Sequence, residues 1–296
     1  MLRLLAAIFY RVLYLLHHKL CLRPGSPPRY SKLAVVGAYR TGGAGKTPFC
    51  IWLAENLAAQ RKRVAILCHE YALDEAKMLR EHFASTPGVE IFTTRNRYRL
   101  VHELDRSRRF DILLCDDGFE DSRLAGATTF VLLWEKLPTR IRELWPLGNA
   151  RSLAKDHHGR TVKIRCNATP DIRFVLDKVS DADGKPFRES NNRKQTIVFC
   201  GLGDPNRFCG DIEKLGIAVT EKVFLKDHDR QFAYRLNRAM QDHPQAAFII
   251  SAKDAARLQG KASDTFQWGE NLYIAHQKAV VSDNTARIVL RELLNS

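Results

Sequence analysis

No Asp or Glu occurs before Glu55, while Arg3, Arg11, Lys19, Arg23, Arg29, Lys32, Arg40 and Lys46 all precede it. A basic start suits an anionic partner: nucleic acid, acidic lipid or a phosphorylated substrate. The seven cysteines (Cys21, Cys50, Cys68, Cys115, Cys166, Cys200, Cys209) include no C-x-x-C pair and no zinc spacing. Redox-motif and zinc-site readings therefore drop out. Scattered thiols in apolar runs fit a reducing, cytoplasmic compartment. There is no low-complexity segment and no repeat period, which excludes a solenoid. No nucleic-acid recognition module appears, and the early basic excess coincides with an apolar helix. A membrane surface is favoured over nucleic acid on that ground.

The N-terminal segment also lacks an uncharged run of about 20 residues, as a spanning helix requires. Residues 1–22 are rich in Leu, Ile, Phe and Tyr, but Arg3, Arg11 and Lys19 interrupt them. No small-residue cleavage site follows, only His17-His18-Lys19, so a signal peptide does not fit. On a helical wheel Arg3, Arg11, His17 and His18 share one arc and the rest is apolar apart from Lys19. That pattern predicts an interfacial helix with a basic stripe toward anionic headgroups. A core-packed helix is the competing reading. Pro24, Pro27 and Pro28 end it.

What is present is a strand–loop–helix built for phosphate. Leu33-Ala34-Val35-Val36-Gly37 runs into Thr41-Gly42-Gly43-Ala44-Gly45-Lys46-Thr47-Pro48, and a helix is expected from Phe49 to Ala59. Gly42, Gly43, Ala44 and Gly45 let backbone N–H groups converge on phosphate oxygens at a helix N-terminus. Lys46 suits the β/γ-phosphates and Thr47 a Mg²⁺ ion. Arg40 stands where the longer form of this motif has its first glycine. The implied ligand is a nucleoside triphosphate with Mg²⁺.

Further apolar runs at 63–67, 89–93, 110–115 and 128–134 read as strands. A helix is expected from Asp74 to Phe83, with Asp74 as its N-cap. The run at 110–115 delivers Asp116-Asp117-Gly118-Phe119-Glu120. A carboxylate at the end of such a strand can meet the ion held by Thr47. Asp116 is the direct candidate, with Asp117 and Glu120 as further ligands or groups behind it. Arg97 and Arg151 are candidates for holding substrate or nucleotide phosphate. Alternating strands and helices predict an α/β fold, a doubly wound, mostly parallel sheet. The 296 residues allow a second, smaller α/β domain. The expected division is 1–30 for helix and linker, 31–165 for the nucleotide-binding domain and 166–296 for the second domain.

These motifs together resemble the tetraacyldisaccharide 4′-kinase family. The family's G-D-E-A-x-x-L is similar to Leu73-Asp74-Glu75-Ala76-Lys77-Met78-Leu79, its D-R-Y to Asn96-Arg97-Tyr98, and its D-D-G-F-Q to Asp116–Glu120. Its L-P-x-G-P-L-R-E-P is echoed from Leu144 to Arg151, and its S-G-[IL]-G-[ND]-P-x-R-F from Phe199 to Phe208. Asp227-His228 and Lys253-Asp254 match its D-H and K-D. The chain departs at Cys68-His69-Glu70-Tyr71-Ala72 (family S-R-G-Y-G), Ala38 (Asn), Glu120 (Gln) and Ala252 (Glu). It also nearly lacks the stretch before the Asp74 segment.

The resemblance implies ATP-dependent phosphorylation of the 4′-hydroxyl of a tetraacyldisaccharide 1-phosphate, giving lipid IVA in lipid A biosynthesis. It implies a place on the cytoplasmic face of the bacterial inner membrane. It also implies Asp74 as the base, His228 as its orienting partner, and Lys46 stabilising the transferred phosphoryl. The alternative is a membrane-bound ATPase or nucleotide sensor without lipid kinase activity.

Overall fold

In the computed structural model the described residues are 2–40, 43–124, 126–157, 159–167, 170–188, 195–226, 229–258, 266 and 268–294. They form two compact units: 1–173 with 279–296, and 174–278. The sequence suggested a division near Cys166; the contacts divide at Arg173 and return the C-terminal helix to the first unit.

The first unit is organised by one sheet. Its strands are β1 (Lys32–Gly37), β2 (Val64–His69), β3 (Val89–Thr94), β4 (Ile112–Asp116), β5 (Thr128–Leu133) and β6 (Thr161–Arg165). They lie in the order β3-β2-β4-β1-β5-β6, with every neighbouring pair parallel. The central strands are buried along their length, which is why they read as unbroken apolar runs rather than alternating ones. Helices α2 (Lys46–Ala59), α3 (Leu73–His82) and α4 (Arg97–Ser107) connect them. Phe49, Leu53 and Leu57 of α2 are fully buried, each contributing roughly 1.5–3 kcal/mol. Val101 and Leu104 of α4 join Leu33, Val35, Ala65 and Leu113 in a shared core.

Helix α1 (Leu2–Cys21) precedes the sheet. It buries only Ala7 and Arg11. Its apolar side faces outward, with Leu2, Leu5, Phe9, Val12, Leu16 and Leu20 all exposed. The expected basic stripe toward headgroups is corrected here. Arg11 turns inward to a buried ion pair with Asp156, and His18 stacks on Tyr14 at 4.1 Å.

Other expectations shift by local chemistry. Helix α2 begins at Lys46 rather than Phe49, because Gly45 takes φ 81° and acts as its N-cap. Helix α3 begins at Leu73 with Ala72 as N-cap, so Asp74 lies inside the first turn instead of capping it. Arg97 and Arg99 open α4, where the Asn96 side chain accepts from Arg99 N–H at 3.1 Å.

The second unit holds the sheet order β7-β11-β10-β8-β9. The strands are β7 (Ile172–Ser180), β8 (Gln195–Cys200), β9 (Glu221–Phe224), β10 (Ala246–Ser251) and β11 (Leu272–Val281). Its helices are α5 (Pro205–Lys214), α6 (Phe232–Asp242) and α7 (Ala252–Leu258); α8 (Asp283–Leu294) belongs to the first unit. Along β8, Val198 and Cys200 pack with α5 while Ile197 and Phe199 pack with α6 and α7. The two-residue period of a strand thus places helices on both faces.

Gly37 ends β1 where the Phe119 turn crosses it. A Cβ there would lie 2.2 Å from Phe119 Cβ. Gly37→Ala is expected to cost about 1–3 kcal/mol from overpacking, read as a lower urea midpoint at unchanged slope. A wild-type midpoint would show that this approach is not tight.

Candidate active site

The site grows from the adjacency of β1 and β4. Their parallel register pairs Val36 with Asp116. The loop after β1 and the carboxylates after β4 therefore emerge side by side at the carboxyl edge of the sheet, the usual ligand position in such folds. The Thr47 hydroxyl donates to Asp116 Oδ2 at 3.0 Å, with both residues buried. Asp116 Oδ1 is buried without a hydrogen-bond partner. Asp117 adopts φ 55°, an unusual conformation for a non-glycine residue. Its carboxylate lies 3.3 Å from Lys46 Nζ and 3.3 Å from Arg151 Nη1. Arg151 Nη1 is also 3.7 Å from Glu120 Oε2, and Glu120 Oε1 is buried without a partner.

Charge and burial set the protonation states. Burial pushes the Asp116 carboxyl well above the ordinary carboxylate range, and the negative charges of Glu75 and Asp117 push the same way. Lys46 and the Thr47 hydroxyl pull it back only in part. Glu120 is raised to about 7 by burial, with Asp117 adding to the rise and Arg151 opposing it. For Asp117, burial is outweighed by Lys46 and Arg151, and its pKa falls below the ordinary value.

The structure thus brings together Lys46, Thr47, Asp116, Asp117, Glu120 and Arg151. Gly43, Ala44 and Gly45 form the described part of the loop; Gly42 and His228 lie outside the described residues. Arg97 is buried, and its Nη2 donates to the Asp116 carbonyl oxygen at 2.9 Å, bracing the acidic turn from behind. Asp74 is in the first turn of α3, where the helix dipole favours an anion.

Two residues were missed. Glu75, beside Asp74, acts on Asp116; the adjacent carboxylates at a helix start were the available signal. Trp134, just past β5, donates from its indole N–H to the Ala44 carbonyl at 2.9 Å and lies under the Arg40 guanidinium. No spacing in the sequence foretells that contact. On the β5 side of the loop, a cavity of about 320 Å³ is lined by Tyr39, Arg40, Trp134 and Asn149, among others.

Among the described residues, no group of three or more His, Cys, Asp or Glu side chains is gathered to hold a metal ion. Asp117 is engaged by cations instead. Mg²⁺ needs no such cage, since one or two carboxylates with phosphate and water suffice. The orphaned Asp116 oxygen beside the Thr47 hydroxyl fits that oxygen chemistry.

The family described as tetraacyldisaccharide-1-P 4′-kinase matches residues 1–295. Among curated relatives, the tetraacyldisaccharide 4′-kinase of Haemophilus influenzae is 23% identical over 293 residues, 88% of this chain and 83% of that protein. That of Chlamydia caviae is 28% identical over 240 residues, 69% of this chain and 65% of that protein. A crystal structure of LpxK from Aquifex aeolicus in complex with ATP superposes with a TM-score of 0.65 at 19% identity. The match covers 100% of this chain and 99% of that one.

The raised Glu120 pKa has a thermodynamic consequence. Glu120 keeps its proton to a higher pH when folded than when unfolded. Its contribution to stability is full below about pH 4 and is lost as pH rises toward about 7. Asp117 titrates below that window and does not offset it. Glu120→Gln is expected to flatten the fall in melting temperature from about pH 5 to 8. It should also stabilise the ligand-free protein at the upper end by on the order of 1 kcal/mol. An unchanged pH profile in this variant would rule the account out.

Proposed function

The chain belongs to the tetraacyldisaccharide-1-P 4′-kinase family, and from that premise we propose how its residues divide the work of transferring the ATP γ-phosphoryl to the 4′-hydroxyl of a tetraacyldisaccharide 1-phosphate. The product is lipid IVA, in lipid A biosynthesis. The observation that carries this reading is the Thr47–Asp116 pair beside Lys46 at the mouth of the glycine loop. The relatives named above are kinases, which gives the nucleotide-sensor alternative no support.

In-line phosphoryl transfer depends mainly on positioning and charge stabilisation. The loop N–H groups and the α2 N-terminus receive the phosphates, and Lys46 neutralises charge on the transferring group. Arriving phosphate competes with Asp117 for Lys46, so the 3.3 Å ion pair holds the lysine in place until then. Thr47 and Asp116 would hold Mg²⁺, with Asp117 and Glu120 close behind. That ion would supply charge neutralisation during phosphoryl transfer. Arg151 contributes a second cation for phosphate oxygens, and Arg97 keeps the Asp116 turn in register.

A sugar hydroxyl is a poor nucleophile at neutral pH and needs a base. We assign that role to Asp74; His228, which the resemblance pairs with it, lies outside the described residues. The cavity beside Arg40 and Trp134 has a volume suited to the nucleoside part of ATP. The outward apolar side of α1 rests in a membrane surface, placing the site beside an acylated substrate. α1 has the length and hydropathy of a spanning helix, with mean hydropathy 1.3, but its inward polar face favours lying along the interface. The cytoplasmic face of the inner membrane follows from where ATP is found.

With Mg²⁺, labelled ATP and detergent-dispersed tetraacyldisaccharide 1-phosphate, label is expected in the lipid. Lys46→Ala and Asp74→Asn should each lower transfer by at least about a hundredfold, with ATP binding preserved in Asp74→Asn. ATP hydrolysis without lipid labelling would refute the kinase assignment. Replacing Leu5, Val12 and Leu16 together by Ser should release the protein from anionic vesicles in a flotation assay; undiminished flotation would place the membrane contact elsewhere.

A further inference from the structure

Helix α1 does more than present an apolar face. Its inward side meets the segment that carries Arg151. The Tyr10 hydroxyl donates to the Arg151 carbonyl oxygen at 2.7 Å. From the other direction the Arg151 N–H donates to the Tyr39 carbonyl at 2.8 Å. The Arg151 backbone is therefore held between α1 and the chain entering the phosphate loop. One residue along α1, the Arg11 guanidinium forms a bidentate pair with Asp156, Nη2 to Oδ1 at 2.6 Å. Asp156 Oδ2 also accepts from Leu153 N–H at 2.8 Å, which closes the short 3₁₀ turn Ala154–Asp156 just after Arg151.

Both partners of the pair are nearly buried, with side-chain exposures of 10% and 7%. Burying two charges costs desolvation, and an apolar contact of the same size would hold an anchor helix at least as well. A planar guanidinium locked on a carboxylate instead fixes orientation. The segment it orients ends at the Arg151 guanidinium, which lies 3.3 Å from Asp117 and 3.7 Å from Glu120. Asp117 is in turn 3.3 Å from Lys46. A continuous run of hydrogen bonds and ion pairs thus joins the outward-facing helix to the phosphate-loop lysine.

We infer that Tyr10 and Arg11 are positioning residues for Arg151, through which docking of α1 on the body of the first unit sets the phosphate-binding end of the site. The inference rests on the kinase reading for its kinetic consequence but not for its structural one. Loosening α1 lets the 151–156 segment move, and the second cation no longer meets the phosphate at a fixed place.

Tyr10→Phe removes the hydroxyl and keeps the ring that packs edge-on against Trp145 at 6.0 Å. In the full-length protein it is expected to lower kcat about fivefold, the worth of one hydrogen bond, with the KM for ATP and vesicle flotation unchanged. Amide exchange should rise at residues 151–156 and not in β1 or β4. In an Arg151→Ala background, Tyr10→Phe should cause no further loss, because both act through one guanidinium. Arg11→Lys should recover more activity than Arg11→Ala. If the alanine variant fails to fold, the paired exchange Arg11→Asp with Asp156→Arg should restore both folding and kcat.

Wild-type kcat and exchange in Tyr10→Phe would overturn the proposal. So would full additivity with Arg151→Ala, or a kcat loss that tracks lost flotation. If the wild-type protein transfers no phosphate to lipid, the kinase reading fails. Exchange at 151–156 then still decides the positioning role.

Discussion

Acidic groups crowd around two cations at the carboxyl edge of the first sheet. Asp116, Asp117 and Glu120 follow one another on a single turn, and Glu75 adds a fourth acidic group from α3. Lys46 and Arg151 neutralise only part of this charge. The fold accepts two costs there: a left-handed Asp117 and carboxyl oxygens buried without partners. Such costs persist where the surrounding structure over-determines them. Here the parallel β1–β4 register, the Arg97 bond to the Asp116 carbonyl and the close approach of Gly37 to Phe119 do so. On the proposed reading, a divalent cation beside the Thr47 hydroxyl would offset part of the remaining negative charge.

The same region explains why α1 is more than an appendage. A helix exposing Leu, Val and Phe along its outer side needs a covering surface. Its inner side is polar where it meets the protein, with Tyr10, Arg11, Tyr14 and His18 at helical spacing. The basic stripe visible on the helical wheel is real as a pattern, but its Arg11 and His18 serve the protein side. On the proposed reading, interfacial attachment would rest mainly on apolar area, with the exposed Arg3, His17 and Lys19 available to headgroups.

Much of the first sheet was legible because parallel strands buried on both faces leave unmistakable apolar runs, and because a glycine loop followed by Lys-Thr has few other uses. β2, β3, β4 and β5 lie where those runs predict them. Helices were harder. Helix α4 went unanticipated because the Asn96 cap and the spacing of Val101 and Leu104 were outweighed by charged neighbours. Asp74 looked like a cap because Asp favours that place, yet the backbone at Ala72 starts the helix without side-chain help. α6, β11 and α8 were not anticipated at all.

The sequence by itself determined the chemistry available: a phosphate loop with Lys46 and Thr47, an acidic turn at 116–120, and an amphipathic first helix. Those signals are local, set by residues adjacent in the chain or one helical turn apart. Only the tertiary structure decided that Arg151 stands between Asp117 and Glu120, that Glu75 bears on Asp116, that Trp134 braces Ala44, and that Arg11 is spent on Asp156. Each of these joins segments tens of residues apart or more. Their energies depend on burial and on which charges face each other, and neither is written in the spacing of one chain.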